Sequence, residues 1–359
     1  GLGDVYKRQL EVSSMKATIK DVARKSGYSI ATVSLVMNNK NVSIPQETRD
    51  KVWKAADELD YRPNQLAVSM ITKKTNVLGL IIPDNSNLFF ADLSKAIEIA
   101  ARHAGYNLIY GNSNNNSKRD IEYMKMFVDR RVDGIIYAKS TTLNCENDRD
   151  CIRFIQKATT PIIAVDRVVE DSSVSSIVLD HFQGGYLAAR HLLQLGHTRI
   201  GCYTGPHSLN SSQERLSGCK FAFAEHNIPF DDSLVYEGTY QIGCEQSALA
   251  YFLNKGATAI FAFNDIMAYG IYREARQANL SIPKELSVVG FDDTFFSEII
   301  QPSLTTVRQP IRQMGECVVE TLLKAIQKGT GPEKHNYVFK PELIVRESTA
   351  SPVRKRGIL

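Results

Sequence analysis

Short apolar runs alternate with longer amphipathic stretches from Val77 to Asp293, and this alternation constrains the fold more than any other feature of the chain. Apolar runs of about four to eight residues match buried strands, and stretches such as residues 89–105 and 119–131 repeat apolar side chains at helical spacing. The predicted strands are 77–83, 107–111, 133–138, 161–166, 176–180, 199–205, 233–238, 258–265 and 286–293. This order is typical of parallel sheets that helices cover on both faces.

The predicted strands fall into two similar sets, residues 77–180 and residues 199–293. We therefore predict an α/β core of two doubly wound parallel-sheet subdomains. Ligands of such sheets bind outside the carboxyl ends of the strands. A ligand cleft is expected between the two halves, lined by the polar residues that follow the strands.

The segment from Thr18 to Asn38 has a different pattern, that of two short helices joined by a tight turn. Thr18 and Ser29 are suitable N-caps for the two helices, and Gly27 is a suitable stop for the first. Two helices split by a glycine, with lysine and arginine nearby, predict a helix-turn-helix whose second helix enters the DNA major groove. The alternative is an ordinary helical hairpin with a solvated basic face.

Charge separates this head from the rest of the chain. Residues 15–74 hold eleven basic and six acidic residues, although the whole chain has a net charge of only +4. Pro45 opens a third predicted helix, which runs to about Leu59 and packs on the first two. A basic head on a nearly neutral body favours nucleic-acid binding.

Composition argues against several classes of protein. The chain has no run of eighteen apolar residues, no apolar N-terminal signal segment, and six scattered cysteines without C-x-x-C spacing. These features favour a cytoplasmic protein without a metal site, a disulfide framework or a membrane span. Neither a G-x-S-x-G nor a G-x-x-x-x-G-K-[ST] motif is present. We therefore expect no catalytic residue and no cofactor, and a protein that is not an enzyme.

Seven motifs, in order, resemble the lactose-repressor/galactose-repressor (LacI/GalR) family of bacterial transcription regulators. They are TIKDVARKSGYSIATVS, YRPNQLA, RRVDGII, LGHTRIGCYTGP, FAFNDIMAYG, VVGFDD and LTTVRQP. Each motif is weak alone, but their order and spacing together are specific. The resemblance runs from Met15 to about Ser348 and implies a homodimer, a DNA-binding head, a hinge helix and a core that binds a small molecule.

The motifs and the resemblance together predict five segments. They are a non-native leader at 1–14, the helix-turn-helix head at 15–62, a hinge helix and linker at 63–76, a two-lobed ligand-binding and dimerisation core at 77–348, and a C-terminal tail at 349–359.

Residues that begin the second helix read base edges in this family, and here these are Ile30, Ala31 and, one turn on, Leu35. The family usually has polar or basic groups at some of these positions, whereas Ile30 and Ala31 offer only apolar contact, for example to a thymine methyl group. Met70 matches the hinge leucine that the family wedges into the minor groove. The alternatives are a core role for Ile30 and a plain linker in place of a hinge helix. The implied DNA-contacting residues are Thr18, Ser29, Ile30, Ala31, Thr32, Ser34, Leu35, Asn38, Asn64 and Met70.

The core is also similar to the periplasmic ribose-binding proteins. The implied ligand-binding residues are Asn87, Phe89, Phe90, Asp166, Arg167, Arg215, Tyr240, Asn264, Asp292 and Gln309, with a looser match at 114–116. A sugar offers apolar ring faces to aromatic side chains, and hydroxyls that both donate and accept. The alternatives are core roles for Phe89 and Phe90 and helix-cap roles for Asp265 and Asp292. We interpret His181, His197 and His207 as structural.

The function that follows is a ligand-responsive repressor. A homodimer, with tetramers left open, would bind a pseudo-palindromic double-stranded DNA operator and release it when a ribose-like monosaccharide or another furanose binds. The alternative is a carbon-catabolite regulator of the same family whose corepressor is a phosphorylated carrier protein. A sugar-processing enzyme and a secreted transport receptor are disfavoured.

Overall fold

The structure, a computed structural model, describes residues 17–38, 44–63, 74–140, 145–169, 174–241, 248–329 and 334–353. The chain divides into two compact units, residues 1–75 and residues 76–359. The predicted leader and most of the predicted hinge, including Asn64 and Met70, lie outside the described residues.

In the described part of the first unit there are three helices, α1 (Ile19–Ser26), α2 (Ile30–Met37) and α3 (Gln46–Glu58). Gly27 ends α1 in the left-handed conformation, at φ 78°, which glycine adopts without strain. Ser29 caps α2 by accepting a hydrogen bond from the backbone N–H of Thr32 at 3.1 Å. The three helices share one small core, formed by Val22, Ala23, Val33, Val36, Val52, Ala55 and Ala56. The predicted helix-turn-helix head is therefore confirmed.

Lobe 1 of the second unit is built on six parallel strands. They are β1 (Val77–Ile82), β2 (Asn107–Asn112), β3 (Gly134–Tyr137), β4 (Ile162–Val165), β5 (Ser176–Leu179) and β11 (Asn336–Phe339), in the order β11-β5-β4-β3-β1-β2. Its helices are α4 (Leu88–His103), α5 (Ser117–Asp129), α6 (Cys145–Lys157) and α12 (Ile311–Lys328). Because α4 and α12 cover one face and α5 and α6 the other, the sheet is buried on both sides.

Lobe 2 repeats this plan with one exception. Its strands are β6 (Ile200–Thr204), β7 (Val235–Glu237), β8 (Ala259–Ala262), β9 (Ser287–Asp292), β10 (Thr305–Arg308) and β12 (Glu342–Ile344), in the order β12-β10-β9-β8-β6-β7. Its helices are α7 (His181–Gln194), α8 (Asn210–Glu225), α9 (Ala248–Asn254), α10 (Asp265–Gln277) and α11 (Phe296–Ile299), with a 3₁₀ turn at Asp232–Leu234. The edge strand β12 runs antiparallel to β10. The predicted α/β fold with two doubly wound lobes is confirmed.

The described elements cross between the lobes three times, after β5, after β10 and after β11. Helix α12 and strand β11 therefore belong to lobe 1, although they follow lobe 2 in the sequence. Strands β10, β11 and β12 were not predicted, because none of them is a continuous apolar run. Two of them, β11 and β12, are partly exposed edge strands.

Helices α7 and α8 pack closely because glycine lies at their contact. A Cβ atom on Gly185 would lie 2.0 Å from the carbonyl oxygen of Arg215, and one on Gly218 would lie 1.9 Å from that of Phe182. Both distances are too short for any side chain. These two glycines therefore set how α8 lies against the start of α7, and with it the position of Arg215.

Candidate functional site

Two adjoining cavities open between the lobes at the carboxyl ends of the strands. The first, named here the Phe90 cavity, has a volume of about 360 Å³. It is lined by Asp84, Asn87, Phe90, Asn115, Arg167, Pro206, Ser208, Glu237, Thr239, Tyr240 and Gln241. Four of the predicted ligand residues, Asn87, Phe90, Arg167 and Tyr240, therefore meet around one space, and Asn115 lies in the segment with the looser match.

Local structure holds these four side chains in place. Asn87 caps α4 by accepting a hydrogen bond from the N–H of Phe89 at 3.1 Å. The guanidinium carbon of Arg167 lies 5.8 Å from the ring centroid of Phe90. Tyr240 shares a 2.7 Å hydrogen bond between its hydroxyl and that of Ser212. The Phe90 cavity therefore presents an aromatic face, a cation, an amide and a phenol to one ligand.

Phe89 differs from its neighbour, because it does not line either cavity. Both rings are 4% exposed and meet edge to face at 5.1 Å. Both rings pack within the core of lobe 1. Of the predicted stacking pair, the structure brings only Phe90 to the cavity.

The second cavity, named here the His181 cavity, has a volume of about 620 Å³ and shares Arg167 and Ser208 with the first. It is lined by Lys139, Ser140, Asp166, Arg167, Val168, Val178, Leu179, Asp180, His181, Phe182, Ser208, Leu209, Asn210, Ser211, Glu214, Asn336 and Val338. Only Asp166 and Arg167 of this set were predicted. His181, which we interpreted from the sequence as structural, lies two positions after the end of β5 and is the first residue of α7. This position just after a strand was the signal that could have identified it.

His197 and His207 do not line either cavity. His197 bonds to Thr258, Ser287 and the carbonyl of Ala350, as expected for a structural histidine.

A buried cluster of charged and polar side chains lies beside these cavities. Arg215 is 5% exposed, and its guanidinium carbon lies 3.5 Å from the ring centroid of Phe291. It donates to Nδ1 of His181 at 3.3 Å and to the carbonyl oxygen of Phe263. Gln309 donates to Asp292 at 2.7 Å, and Oε1 of Gln309 is buried without a hydrogen-bond partner among the described residues. Predicted residues Arg215, Asp292 and Gln309 thus lie below the surface of the cleft.

Burial and the positive charges of two arginines shift the pKa values of the acidic side chains and the histidine at this cluster. Burial raises the pKa of Asp166, and the positive charges of Arg167 and Arg215 oppose that rise. Burial likewise raises the pKa of Asp292 well above its ordinary value, with Arg215 opposing and Asp265 adding to the rise. Burial, Arg215 and Arg167 together lower the pKa of His181 well below its ordinary value. His181 is therefore neutral at physiological pH.

Three predicted ligand residues have left-handed backbone conformations. Asp166, Tyr240 and Asp292 have φ values of 69°, 64° and 118°. Residues other than glycine adopt such angles at a cost and retain them where the surrounding structure imposes them, commonly at binding sites. Asp166 directly follows β4, Tyr240 comes three residues after β7, and Asp292 is the last residue of β9. All three lie at the carboxyl ends of strands, so the unusual backbone coincides with the cleft.

Asn264 and Asp265 differ from their predicted roles. Asn264, not Asp265, caps α10, accepting from the N–H of Met267 at 2.9 Å and donating to the carbonyl of Tyr240 at 3.2 Å. Asn264 lines neither cavity. The helix-cap alternative for Asp265 was wrong, because its carboxylate accepts from the Thr294 N–H at 2.8 Å and the Ser297 hydroxyl at 2.7 Å. The same alternative for Asp292 was wrong as well, since Asp292 ends β9.

The buried Asp265 makes stability depend on pH. Burial raises its pKa to about 6, so the folded state binds a proton more tightly than the unfolded chain does. The resulting stabilisation is complete below the unfolded pKa and is lost as pH rises through about 6. We expect the free energy of unfolding of wild type, relative to Asp265→Asn, to fall by about 2 kcal/mol from pH 4 to pH 7. Urea unfolding of wild type and Asp265→Asn at pH 4 and pH 7 measures this change. If the stability of wild type relative to the variant stays constant or rises with pH, the prediction is wrong.

The head presents part of its predicted DNA-reading surface to solvent. Ile30 is 45% exposed, which excludes the alternative of a core role. Ala31, Ser29 and Asn38 are exposed, whereas Leu35 is half-buried. Thr18 donates its hydroxyl to Asp21 at 2.7 Å, the hydroxyls of Thr32 and Ser29 lie 2.9 Å apart, and the amide of Asn38 reaches the Ser34 hydroxyl at 3.2 Å.

Comparisons with known proteins identify the family. Residues 75–338 match the model of periplasmic binding proteins and the sugar-binding domain of the LacI family, and residues 18–64 match that of bacterial regulatory proteins of the lacI family. The chain belongs to the LacI family.

Relatives in this LacI family cover nearly the whole chain. The transcriptional regulator DegA of Bacillus subtilis is 36% identical over 94% of this chain and 99% of DegA. The transcriptional repressor PurR of Vibrio campbellii is 34% identical over 92% of this chain and 98% of PurR.

Two solved structures share the LacI fold. A Lac repressor dimer bound to operator and the anti-inducer ONPF has a TM-score of 0.81 at 27% identity, covering 94% of this chain and 100% of that chain. A LacI family transcriptional regulator from Enterococcus faecium with bound ribose has a TM-score of 0.68 at 31% identity, covering 77% and 99%. The protein is therefore a DNA-binding transcriptional repressor of the LacI family that a small-molecule effector regulates, and not an enzyme. None of the described helices has the length and hydropathy needed to cross a bilayer.

Proposed function

We propose that the effector of this repressor is a sugar, a ribose-like monosaccharide or another furanose, that binds in the Phe90 cavity and weakens the hold on the operator. The observation that carries this proposal is that Asn87, Phe90, Arg167 and Tyr240, from both lobes, converge on one 360 Å³ space. A ligand that contacts both lobes stabilises one relative orientation of the lobes over another. Such a core responds to its effector through this shift in the populations of the two orientations.

The side chains at this site suit hydroxyl groups. Phe90 offers a face to the apolar side of a sugar ring. Arg167 donates only, Tyr240 both donates and accepts, and the carboxylates of Asp84 and Glu237 at the cavity wall accept. Hydrogen bonds to charged groups discriminate strongly against analogues that lack a hydroxyl. The bound ribose of the Enterococcus faecium regulator supports the same class of ligand here.

The DNA side of the proposal rests on the exposed start of α2. We propose that Ile30 and Ala31 contact base edges and that Ser29, Thr32 and Ser34 supply hydroxyls to phosphates or bases. A homodimer would place two such helices on the half-sites of a pseudo-palindrome, and residues 63–76 would transmit the change in the core.

Two measurements on the full chain test this function. Calorimetry with ribose, fructose, galactose and adenine identifies the ligand class, and we expect binding of a sugar; binding of adenine alone would refute the sugar proposal. DNA selected from a random pool by the protein then serves in gel shifts. We expect the sugar to weaken the protein–DNA complex, and a sugar that strengthens it would reverse the proposed sign.

Neighbouring phenylalanines allow a matched test of the cavity. We expect Phe90→Leu to lower sugar affinity about tenfold, because leucine keeps most of the apolar volume and removes the aromatic face. Phe89→Leu, with the same 4% exposure one residue away, should leave affinity within about twofold. Calorimetry of both variants measures the difference. Equal losses of affinity would show that the ring of Phe90 has no specific role.

A further inference from the structure

A further cavity lies in lobe 2, at the opposite end of its sheet from the cleft. Its volume of about 570 Å³ is within the range of small-molecule sites, about 300 to 1,000 Å³. It is named here the Arg276 cavity and is lined by Tyr272, Arg273, Ala275, Arg276, Leu280, Ser281, Ile282, Ile300, Gln301 and Pro302. These residues come from the C-terminal half of α10 and from the segments that lead into β9 and β10.

The length of α10 separates this cavity from the proposed sugar site. Asn264, the N-cap of α10, donates to the carbonyl oxygen of Tyr240 at the cleft, whereas Arg276 lies in the last turn of the same helix. A rise of about 1.5 Å per residue places these two ends roughly 18 Å apart. The Arg276 cavity shares no lining residue with either cavity of the cleft. A ligand bound there would therefore occupy a site of its own.

Two arginines give the Arg276 cavity a positive charge. Arg273 and Arg276 are exposed, and within the described part of the chain neither side chain makes a hydrogen bond or an ion pair. No carboxylate of a described residue lines the cavity, and that of the nearby Glu285 accepts from the N–H of Ser281 at 2.8 Å. The C-terminal end of α10 contributes only about half a negative charge, which the two arginines exceed.

The spacing of the arginines suits a single anion. Residues three positions apart on a helix are neighbours on its surface, so the guanidinium groups of Arg273 and Arg276 can reach the same ligand. A guanidinium group binds a carboxylate or a phosphate through two parallel hydrogen bonds. The arrangement therefore indicates an anionic group on the ligand.

The rest of the wall is largely apolar and indicates an organic ligand. Leu280, Ile282 and Ile300 are half-buried and pack against one core of lobe 2. The hydroxyl of Tyr272 donates to the carbonyl oxygen of Pro302 at 3.0 Å, which ties α10 to the segment before β10. Inorganic phosphate would leave the apolar wall in water, whereas an anion with an apolar body would cover it.

We propose that the Arg276 cavity binds a small organic anion as a second ligand of this repressor. Its carboxylate or phosphate group accepts hydrogen bonds from Arg273 and Arg276, and its apolar body packs on Leu280, Ile282 and Ile300. The inference does not rest on the proposed sugar site, so its failure would leave the proposed function standing.

Calorimetry of the full chain tests the site with benzoate, 3-phenylpropionate and phenyl phosphate as probes. Benzamide is the neutral control, and inorganic phosphate is the control without an apolar body. We expect at least one organic anion to bind about ten times more tightly than both controls, because only that class uses the arginines and the apolar wall together. If every organic anion binds no more tightly than benzamide or inorganic phosphate, the site is refuted.

Two variants that each remove one positive charge locate the bound anion. Arg276→Gln should lower the affinity for the organic anion about tenfold, because hydrogen bonds to a charged group are lost. Lys284→Gln is the matched control, since Lys284 is exposed and close to Ile282 in the chain but does not line the cavity. This control should keep the affinity within about twofold.

The same variants give the results that would overturn the proposal. Equal losses in Arg276→Gln and Lys284→Gln would mean that only the general surface charge attracts the anion. A loss in Arg167→Gln with none in Arg276→Gln would place the anion in the cleft. If Arg276→Gln changes the oligomeric state in sedimentation and no organic anion binds, the surface is a contact between copies of the chain.

Discussion

Replacing Arg215 by leucine is expected to lower the free energy of unfolding by about 3 to 5 kcal/mol. Arg215 is 5% exposed and supplies positive charge to two buried carboxylates, Asp166 and Asp292. Removing the arginine leaves the buried carboxylates without a compensating positive charge. This costs far more free energy than the loss of an ion pair at the surface. Effector affinity should also fall, because the guanidinium carbon of Arg215 lies 6.0 Å from the ring centroid of Tyr240, which lines the Phe90 cavity.

The pH dependence of this loss identifies its cause. Without Arg215 the pKa values of Asp166 and Asp292 rise further. At high pH these carboxyl groups must ionise in the folded state without the positive charge of Arg215, so the loss of stability is larger there than at low pH. Urea unfolding of wild type and Arg215→Leu at pH 5 and pH 8 should therefore show the greater loss at pH 8. Arg312→Leu is the control, since that side chain is 89% exposed and pairs with Glu316 at the surface; it should change stability by less than about 0.5 kcal/mol. A loss that does not depend on pH would rule out the electrostatic explanation.

The Gly218→Ala variant is expected to lose about 3 kcal/mol of stability, although alanine is the better helix former. A Cβ atom there would lie 1.9 Å from the backbone carbonyl oxygen of Phe182, and backbone on the facing helix cannot move aside as a side chain can. Helix α8 would have to shift away from α7, and this shift would displace both Arg215 and Phe182 at the cleft. We therefore expect weaker effector binding together with a lower midpoint in urea.

Gly270→Ala is the matched control for this variant. Gly270 also lies inside a helix, α10, but a Cβ atom there meets nothing within 4 Å. This substitution should raise stability by about 0.5 to 1 kcal/mol, because alanine loses less conformational entropy in a helix. Opposite signs for the two variants in the same urea experiment are the expected result. A stable Gly218→Ala protein would show that α7 and α8 separate without cost.

Local sequence patterns determined the elements of this protein. The three helices of the head, the caps at Thr18 and Ser29 and the stop at Gly27 follow from residues within a few positions of each other. The nine strands predicted from apolar runs all exist. Seven of them are almost wholly buried, and a strand buried on both faces must be apolar throughout, whereas the edge strands β2 and β7 are only partly buried. The placement of polar residues after strands also predicted where the cleft would lie.

Only the tertiary structure decided which side chains meet at the cleft. Phe89 and Phe90 are adjacent, equally apolar and both packed in the core of lobe 1, and the direction in which α4 presents each ring brought only Phe90 to the cavity wall as well. His181 lines the His181 cavity and accepts a hydrogen bond from Arg215, which is thirty-four positions away along the chain. Strands β10, β11 and β12 depend on partners from distant segments for their hydrogen bonds and lack an apolar run of their own. A periodic sequence pattern carries information only about residues that are close along the chain. The three crossings between the lobes, and the cleft between those lobes, depend on packing between distant segments, so the sequence pattern did not predict the crossings.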